Sequence, residues 1–257
     1  MASTATRDAF RIEGYVIVRE LIEPALAGAL RLSAEQSGAD THAYEKRDAD
    51  GRKSRVTLWY TPGDDVFGQL SSLDRVVNTM SDCLGGDAKF FHAKLMQKSA
   101  YEGGAWEWHQ DYGYWYDDGF LTDAMGSCYI ALDAATRVNG CLQVIPGSHR
   151  YGRLRHGAVG EQVGADSDRV AMLAERDGIV HCELAPGDAV FFHASLLHAS
   201  AANTSPDSRW GLITSFHRED NPSISDDPRF GPKTTPARTY SELVSASQHF
   251  STSRDFL

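Results

Sequence analysis

The sequence predicts a mostly β protein, a sandwich or jelly roll with helices at its N-terminal end. From about residue 88 onward, short apolar or alternating runs are separated by Gly, Pro, Asn and Asp, which is typical of short strands joined by turns. Two helical patterns precede these runs. The 257 residues are enough for one large domain. We therefore predict a single domain over 1–257, with a helical region at about 1–87, a core at about 88–218 and an irregular tail at about 221–257.

The N-terminal region contains a strand-like segment and two helical patterns. FRIEGYVIVREL, which begins at Phe10, is expected to be a strand or the lead-in to one. Pro24 then begins a helical pattern, because proline is favoured at the first position of a helix. In the second pattern apolar residues recur every three or four positions until Gly85-Gly86 ends it: Leu70, Leu73, Val77, Met80 and Leu84.

Six runs predict the strands of the core: KFFHAKLMQ, SCYIALD, CLQVIPG, IVHCEL, DAVFFHASLLHAS and RWGLITSFH. Residues 150–178 interrupt the series without a clear period, so we predict an insertion or a lid-like loop there. From Asn221 onward, four prolines favour an irregular tail: Pro222, Pro228, Pro232 and Pro236.

Composition and charge disfavour several classes of partner. A formal charge of −10 would repel a phosphate backbone, so we expect no nucleic-acid partner. No apolar run is long enough to span a bilayer, and the first residues lack the pattern of a secretory signal, so we expect a cytoplasmic protein. The four cysteines are scattered, which predicts reduced thiols rather than a disulfide framework. A small molecule is the expected partner.

Two histidines and one aspartate are candidate metal ligands. His109 and Asp111 lie in WHQDYGYW, and residues i and i+2 of an extended segment project to the same face. His198 follows the apolar strand that begins after the PGD turn at 186–188. Two imidazoles and one carboxylate form the set that holds non-haem Fe(II) with open positions on the metal. A zinc site would need a further Cys or His at a suitable spacing.

Arg209, eleven residues after His198, is a candidate anchor for a co-substrate. A keto acid such as 2-oxoglutarate chelates iron at one end and has a carboxylate at the other. A planar guanidinium binds such a carboxylate through two parallel hydrogen bonds.

The chain resembles the phytanoyl-CoA dioxygenase family of Fe(II)/2-oxoglutarate oxygenases, and is also similar to the ectoine hydroxylases. The resemblance covers about residues 10–220 and is carried by the block at 109–111, by NGCLQVIPGSH at 139–149 and by the block at 186–209. It implies a double-stranded β-helix, a cupin-like jelly roll. The site residues that it implies are His109, Asp111 and His198 for iron, Arg209 and Ser200 for 2-oxoglutarate, and Gln110, Lys94 and Tyr129 as further co-substrate contacts.

Aromatic residues around the metal motif are candidates for substrate contacts. Trp115 and Tyr112 are the preferred pair, whereas Trp59 and Arg55 come from the N-terminal region that often closes over such pockets. Four other histidines lack a matched carboxylate and are predicted to be structural: His92, His149, His193 and His217.

These observations predict a dioxygenase that hydroxylates an unactivated C–H bond of a small metabolite, such as an amino acid derivative or a natural-product intermediate, and releases succinate and CO₂. Asp111 favours this over halogenation, because the halogenating relatives have Gly or Ala in place of the carboxylate. Desaturation, epoxidation and ring formation remain open. Two other classes also remain open: a metal-binding cupin without catalysis, and a jelly roll whose aromatic residues stack on sugars.

Overall fold

The computed structural model describes residues 3–36, 39–63, 65–233 and 237–246. Two facing β-sheets form its centre. The strands of the larger sheet are β1 (Tyr15–Val18), β2 (Tyr44–Arg47), β3 (Lys53–Trp59), β4 (Ala88–Lys98), β6 (Met125–Ala131), β11 (Ala189–His193) and β13 (Arg209–Arg218). Those of the smaller sheet are β5 (Trp106–His109), β7 (Leu142–Val144), β10 (Val180–Cys182) and β12 (His198–Ser200).

All strand pairs are antiparallel, and their order is that of a jelly roll. The larger sheet has the order β1-β11-β6-β13-β4-β3-β2, and the smaller sheet has β10-β7-β12-β5. Several neighbours in a sheet are far apart in sequence, as when β11 pairs with both β1 and β6. The predicted mostly β jelly-roll class is confirmed.

Alternation along the strands separates the helix-packed side of the larger sheet from its inner side. On β6, Cys128 and Ile130 pack with the N-terminal helices, whereas Tyr129 and Ala131 pack toward the smaller sheet. The same division on every strand buries one core beneath the helices and a second core between the sheets. The candidate site opens from this second core.

The described residues form seven α-helices outside the sheets: α1 (Thr4–Glu13), α2 (Pro24–Gln36), α3 (Val66–Ser71), α4 (Asp74–Leu84), α5 (Tyr112–Trp115), α6 (Ser167–Asp177) and α7 (Tyr240–Ala246). The helix predicted to begin at Pro24 is confirmed. The strand at YVIV is also present, but Phe10 itself belongs to α1, which Gly14 ends with φ 80°.

The second helical pattern was wrongly predicted as one continuous helix. It is broken into α3 and α4, because Leu73 adopts an extended conformation with φ −62° and ψ 131°. The hydroxyls of Ser71 and Ser72 donate to the carbonyls of Phe67 and Gly68, four residues back. Such bonds compete with the helical pattern at the end of α3. The apolar spacing continues through the break because both helices cover the same sheet.

Residues 150–178 contain regular structure, so the prediction of a loop there was wrong. A hairpin joins β8 (His156–Val159) to β9 (Gln162–Ala165), and α6 follows it. Gln162 accepts from the amide of Glu107 at 2.9 Å and donates to the carbonyl of Ala105 at 3.0 Å, which ties the hairpin to β5. Both strands are too short to show a clear period.

The tail from Asn221 is irregular as far as residue 233, as predicted, and α7 follows. The parts of the predicted tail at 234–236 and 247–257, including Pro236, lie outside the described residues. Among the described helices, none has the length and apolar character to cross a membrane.

Candidate metal centre

His109, Asp111 and His198 meet at the edge of the inner core. One ligand atom from each side chain lies within 4.8 Å of the others, and all three residues are buried. His109 Nε2 is 3.6 Å from Asp111 Oδ1, and His198 Nε2 is 3.9 Å from the same oxygen. The two histidines are partners in the pairing of β5 with β12. The structure therefore brings the predicted triad together.

The chain reaches this arrangement by leaving the strand. His109 is the last residue of β5, whereas Asp111 has helical angles of φ −55° and ψ −44° at the start of α5. The expectation that both side chains project from one extended segment was therefore wrong. A sharp turn at residue 110 directs the carboxylate toward the histidines.

Backbone hydrogen bonds orient both imidazole rings. His109 Nδ1 lies 2.8 Å from the carbonyl of Glu107, and His198 Nδ1 lies 2.9 Å from the carbonyl of Leu196. A carbonyl oxygen can only accept, so each Nδ1 is the protonated nitrogen, and each Nε2 keeps a lone pair that points toward Asp111. Burial, with the neighbouring His109, lowers the pKa of His198 to about 3. The ring is therefore neutral and available as a ligand.

Two hydroxyl groups hold the carboxylate of Asp111. Tyr114 donates to Oδ1 at 2.9 Å, and Ser127 donates to Oδ2 at 3.1 Å. Burial acts to raise the pKa of Asp111, but its histidine neighbours and Lys94 outweigh burial and hold that pKa well below its usual value. The carboxylate is thus an anion whose orientation is fixed before anything binds.

These donors fit a divalent metal ion. Two neutral imidazole nitrogens and one buried carboxylate converge, and the remaining hydrogen-bonding atoms of the rings and of the carboxylate bond to protein groups. Carbonyl and hydroxyl partners of this kind orient metal ligands in proteins. The set matches the two-histidine, one-carboxylate arrangement of non-haem iron.

A cavity of about 50 Å³ extends from the triad between the two sheets. Arg209 lies at its inner end and is only 3% exposed. Its Nη1 donates to the Tyr129 hydroxyl at 3.5 Å, and its Nε has no hydrogen-bond partner among the described residues. No carboxylate of the described residues pairs with this guanidinium. The cavity therefore contains a buried cation without a counter-ion.

A glycine opposite Tyr129 makes room for this arrangement. Gly211 lies two residues after Arg209 on β13, and a Cβ atom there would overlap the Tyr129 ring. The ring lies beneath the guanidinium, with the Arg209 Cζ 5.5 Å from its centroid. Gly211 was not predicted to matter, because a single glycine in a strand gives no indication of what faces it.

Besides Arg209, four residues were predicted to contact the co-substrate, and the structure places three of them in the cavity. Lys94, Tyr129 and Ser200 all line the cavity, as expected. Gln110 does not, because its side chain is fully buried on the other side of the turn. It donates to the carbonyls of Gly152 and Ser195 at 2.9 and 2.7 Å and accepts from the amide of Leu154 at 2.7 Å. The assignment of Gln110 as a co-substrate contact was wrong.

His156 also supports the turn between the ligands. Its Nε2 accepts from the amide of Gln110 at 3.0 Å, and its Nδ1 lies 2.9 Å from the carbonyl of Leu154. Gly113 leaves the space for this ring, since a Cβ there would overlap it. The hairpin region therefore fixes the chain between His109 and Asp111.

A second, wider cleft of about 220 Å³ adjoins the metal centre and shares Lys94 and Trp106 with the inner cavity. We call this the outer cleft. Its other lining residues are Tyr44, Lys46, Leu58, Tyr60, His92, Tyr114, Trp115, Asp118, Glu161, Gln162 and Val163. They come from β2, β3, β4, β9, and the α5 region. The outer cleft therefore lies next to the triad, since Tyr114 in its lining also bonds to Asp111.

Of the four predicted substrate contacts, only Trp115 lines the outer cleft. Tyr112 donates to the carbonyl of Phe120 at 3.2 Å and packs behind α5. Trp59 is fully buried in the core beneath the helices. Arg55 lies opposite Gln97 in the pairing of β3 with β4. It is on the same face of β3 as Trp59 and lies outside the cleft. These three predictions were wrong.

The cleft is instead lined by Leu58 of β3 and by Tyr60 just after it, which flank Trp59. Adjacent residues of a strand face opposite sides, so an error of one position changes the face. Of the histidines predicted to be structural, His149 lies 3.2 Å from the carbonyl of Arg11, and His193 accepts from the amide of Ser195 at 3.1 Å. His92 differs from these, because it lines the outer cleft.

Comparison with known proteins gives both a family and a fold. Residues 10–211 match the family described as Phytanoyl-CoA dioxygenase (PhyH). An L-proline trans-4-hydroxylase from Streptomyces griseoviridis is 32% identical over 174 residues, which are 62% of this chain. The chain spans 65% of that relative, a little under two thirds. An ectoine dioxygenase from Halomonas elongata is 26% identical over 237 residues, 85% of this chain and 71% of the relative.

Solved structures show the same fold. EctD from S. alaskensis with 2-oxoglutarate and 5-hydroxyectoine aligns with a TM-score of 0.76 at 23% identity, covering 93% of this chain and 87% of that one. The epimerase SnoN in complex with Fe³⁺, alpha ketoglutarate and nogalamycin RO aligns with a TM-score of 0.74 at 18% identity, covering 91% and 96%.

Proposed function

Because the chain belongs to the phytanoyl-CoA dioxygenase family, we propose that it is an Fe(II)/2-oxoglutarate-dependent hydroxylase of a small metabolite. In this reaction one atom of O₂ enters the new hydroxyl group and the other enters succinate, while 2-oxoglutarate loses CO₂. The names of its relatives, a proline hydroxylase and ectoine dioxygenases, support this reaction class.

One observation carries the proposal: a buried guanidinium without a counter-ion shares a cavity with the triad. Arg209 is 3% exposed, its Nε has no hydrogen-bond partner among the described residues, and His109, Asp111 and His198 line the same cavity. Burying an unpaired charge is unfavourable. A dicarboxylic keto acid that reaches from the metal to Arg209 supplies the missing anion.

The residues of the cavity have separate roles in this proposal. His109, Asp111 and His198 hold iron(II), which when bound supplies the redox chemistry for C–H oxidation. Arg209 binds the distal carboxylate of 2-oxoglutarate, with Tyr129 and Ser200 beside it, and Lys94 contributes a positive charge near the triad.

Apolar side chains exclude water from the reacting atoms. Phe192, Leu142 and Ile213 line the inner cavity, and Trp115 and Leu58 line the outer cleft. A dry site strengthens the pairing of Arg209 with a carboxylate and protects reactive species from solvent. The substrate enters through the outer cleft and places one carbon beside the triad.

The proposal is tested by incubating iron-loaded protein with 2-oxoglutarate, O₂ and a metabolite extract. We expect succinate release that depends on iron, and a component of the extract that gains the mass of one oxygen. The matched control is Arg209→Gln, which keeps the triad and removes the anchor.

A non-catalytic metal-binding cupin is the second candidate. It predicts tight metal binding by the native chain with no succinate release. Succinate release with no oxygenated product, or with a product that loses two hydrogens, would instead indicate desaturation or ring formation at the same site.

A further inference from the structure

The outer cleft contains a carboxylate without a partner. Asp118 lies half-buried just after α5 and lines the cleft. Its backbone carbonyl accepts from the Ser223 hydroxyl at 2.7 Å, but its carboxylate forms no hydrogen bond or ion pair with the described residues. Arg229, whose charge acts on Asp118, is paired with Asp227 at 2.6 Å. Lys94, which also lines the cleft, acts on Asp118 through its charge but forms no ion pair with it. The carboxylate is therefore near two cations and paired with neither.

The surroundings of Asp118 are those of a partly desolvated anion. Burial raises the pKa of Asp118 to about 6, and the positive charge of Arg229 acts in the opposite direction. An anion in such a position gains more from a bound cation than a fully solvated surface carboxylate does.

His92 is a second polar group that lacks a partner in the same cleft. It is 2% exposed, and its buried Nδ1 has no hydrogen-bond partner among the described residues. The ring stacks on Tyr60, with centroids 5.6 Å apart, and meets Trp115 edge-on at 5.4 Å. Because burial lowers the pKa of His92 well below its usual value, the ring is neutral. It therefore contributes a hydrogen-bonding group but no charge.

Aromatic rings provide the remaining surface of the cleft. Tyr60, Trp115, Tyr114, Trp106 and Tyr44 all line it. Ring faces attract cations, and the attraction is larger where the cation is removed from water. Arg229 already shows this preference, since its guanidinium lies 5.8 Å from the centroid of Tyr60.

We propose that the outer cleft binds its substrate through a protonated amine, with Asp118 as the residue that pairs with the ammonium group. This inference rests on the proposed hydroxylase function and names the substrate class of that site: a small molecule with a primary or secondary amine. Tyr60 and Trp115 flank the ammonium, and His92 forms a hydrogen bond with the same end of the substrate. The amine then fixes which carbon faces the triad.

The test compares two small probes of nearly equal shape, cyclopentylamine and cyclopentanol. Binding to the iron-loaded chain is measured by equilibrium dialysis without O₂, in the presence of 2-oxoglutarate, at pH 8. We expect the native chain to bind the amine at least about tenfold more tightly than the alcohol, since a charged pair is replaced by a neutral contact. In Asp118→Asn, which keeps the shape of the side chain, the two probes should bind equally.

Arg229→Gln is the matched control. If the tail arginine were the true partner of Asp118, this substitution would mimic Asp118→Asn and lower the melting temperature by a similar amount. Under the proposal it leaves amine binding unchanged or strengthens it, because a competing cation has been removed. Equal binding of amine and alcohol by the native chain, or an undiminished preference in Asp118→Asn, would overturn the inference.

A separate titration distinguishes this failure from failure of the proposed function. 2-Oxoglutarate is titrated into the iron-loaded native chain and into Asp118→Asn. Tight binding in both proteins together with no amine preference refutes only the role of Asp118. Absence of 2-oxoglutarate binding in the native chain refutes the hydroxylase itself.

Discussion

The inner cavity and the outer cleft each contain a charged side chain that forms no ion pair with the described residues, and the two charges are of opposite sign. At the inner end the unpaired group is the Arg209 guanidinium, whereas in the outer cleft it is the Asp118 carboxylate. Arg209 lies on a central strand and is fully enclosed, but Asp118 lies in a turn and is half-buried. Each region therefore indicates the charge of the molecule that it binds. The enclosed inner cavity suits the co-substrate, which is the same in every reaction cycle. The outer cleft, where Asp118 is only half-buried, suits the substrate that is hydroxylated.

The largest expected effect is on metal binding by the triad, on which the roles of both regions depend. In His198→Ala we expect bound iron and product formation to fall below detection, because one of three ligands is lost from a site that the fold has assembled. Iron is measured after gel filtration, and product by mass spectrometry. His181→Ala, a histidine of the smaller sheet outside both cavities, should keep both. Full iron content in His198→Ala would contradict the assignment.

The charge of the inner region is tested by Arg209→Gln. Loss of a charge-assisted, two-pronged contact is worth about 1.5–3 kcal/mol, so we expect the KM for 2-oxoglutarate to rise about 10- to 100-fold while iron affinity is retained. The matched control is Arg55→Gln on the helix-packed face of the same sheet, which should leave this KM unchanged. An equal rise in both variants would mean that net charge, not the anchor, controls binding.

Removal of a hydroxyl group that bonds to the Asp111 carboxylate should have an intermediate effect on iron affinity. Tyr114→Phe removes the 2.9 Å bond to Oδ1, and we expect iron affinity to weaken about tenfold, as is usual when a partner of a metal ligand is lost. Tyr112→Phe removes a hydroxyl that bonds only to the carbonyl of Phe120 in the described structure and should leave the affinity unchanged. Competition with a metal-binding dye measures both.

Gly211→Ala changes the shape of the inner cavity but not its charge. The added methyl group must displace the Tyr129 ring, which shifts the partner of Arg209 without removing any charge. We expect the KM for 2-oxoglutarate to rise several-fold and kcat to change less. Measurement of both constants against 2-oxoglutarate concentration tests this, and an unchanged KM would show that Tyr129 moves freely.

The smallest effect is on stability at acid pH. Burial lowers the pKa of His193 from 6.5 to about 4, so the folded chain keeps this ring neutral in a range where the unfolded chain protonates it. The unfolded state then binds more protons, and stability falls as the pH decreases from 6.5 toward 4, by about 1 kcal/mol per unit or less. Above 6.5 this group contributes no pH dependence.

Denaturant titrations at pH 5 and pH 8 measure this effect. His193→Asn keeps an acceptor for the amide of Ser195 and removes the titrating group, so the difference between the two pH values should become smaller. An unchanged difference would assign the acid sensitivity to other groups.

The sequence was most informative where function depends on residue type and spacing. The fold class, the family and the convergence of His109, Asp111 and His198 were all predictable, because the motif blocks specify chemistry as well as position. Arg209, which the sequence predicted as the co-substrate anchor, lines the inner cavity. The division into regions of one domain stays a prediction.

The outer cleft was poorly predicted because its residues are selected by geometry. Trp59 is one position away from the cleft residues Leu58 and Tyr60, Arg55 lies on the same face as Trp59, and the turn at 110 directs the Gln110 side chain away from the cavity. Asp118 carries no motif, and it becomes notable only once its surroundings show that it lacks a partner. Sequence periodicity does not report such a missing contact.

The pairing of β5 with β12 has a consequence for the order in which the holoenzyme is made. The ligands Asp111 and His198 are on the order of ninety residues apart in the chain, and the entropy of closing so long a loop opposes their meeting before the strands pair. A chain that has not yet folded therefore has no high-affinity site for the iron ion. Metal loading comes after folding, and a destabilised variant will be short of iron even when every ligand is intact.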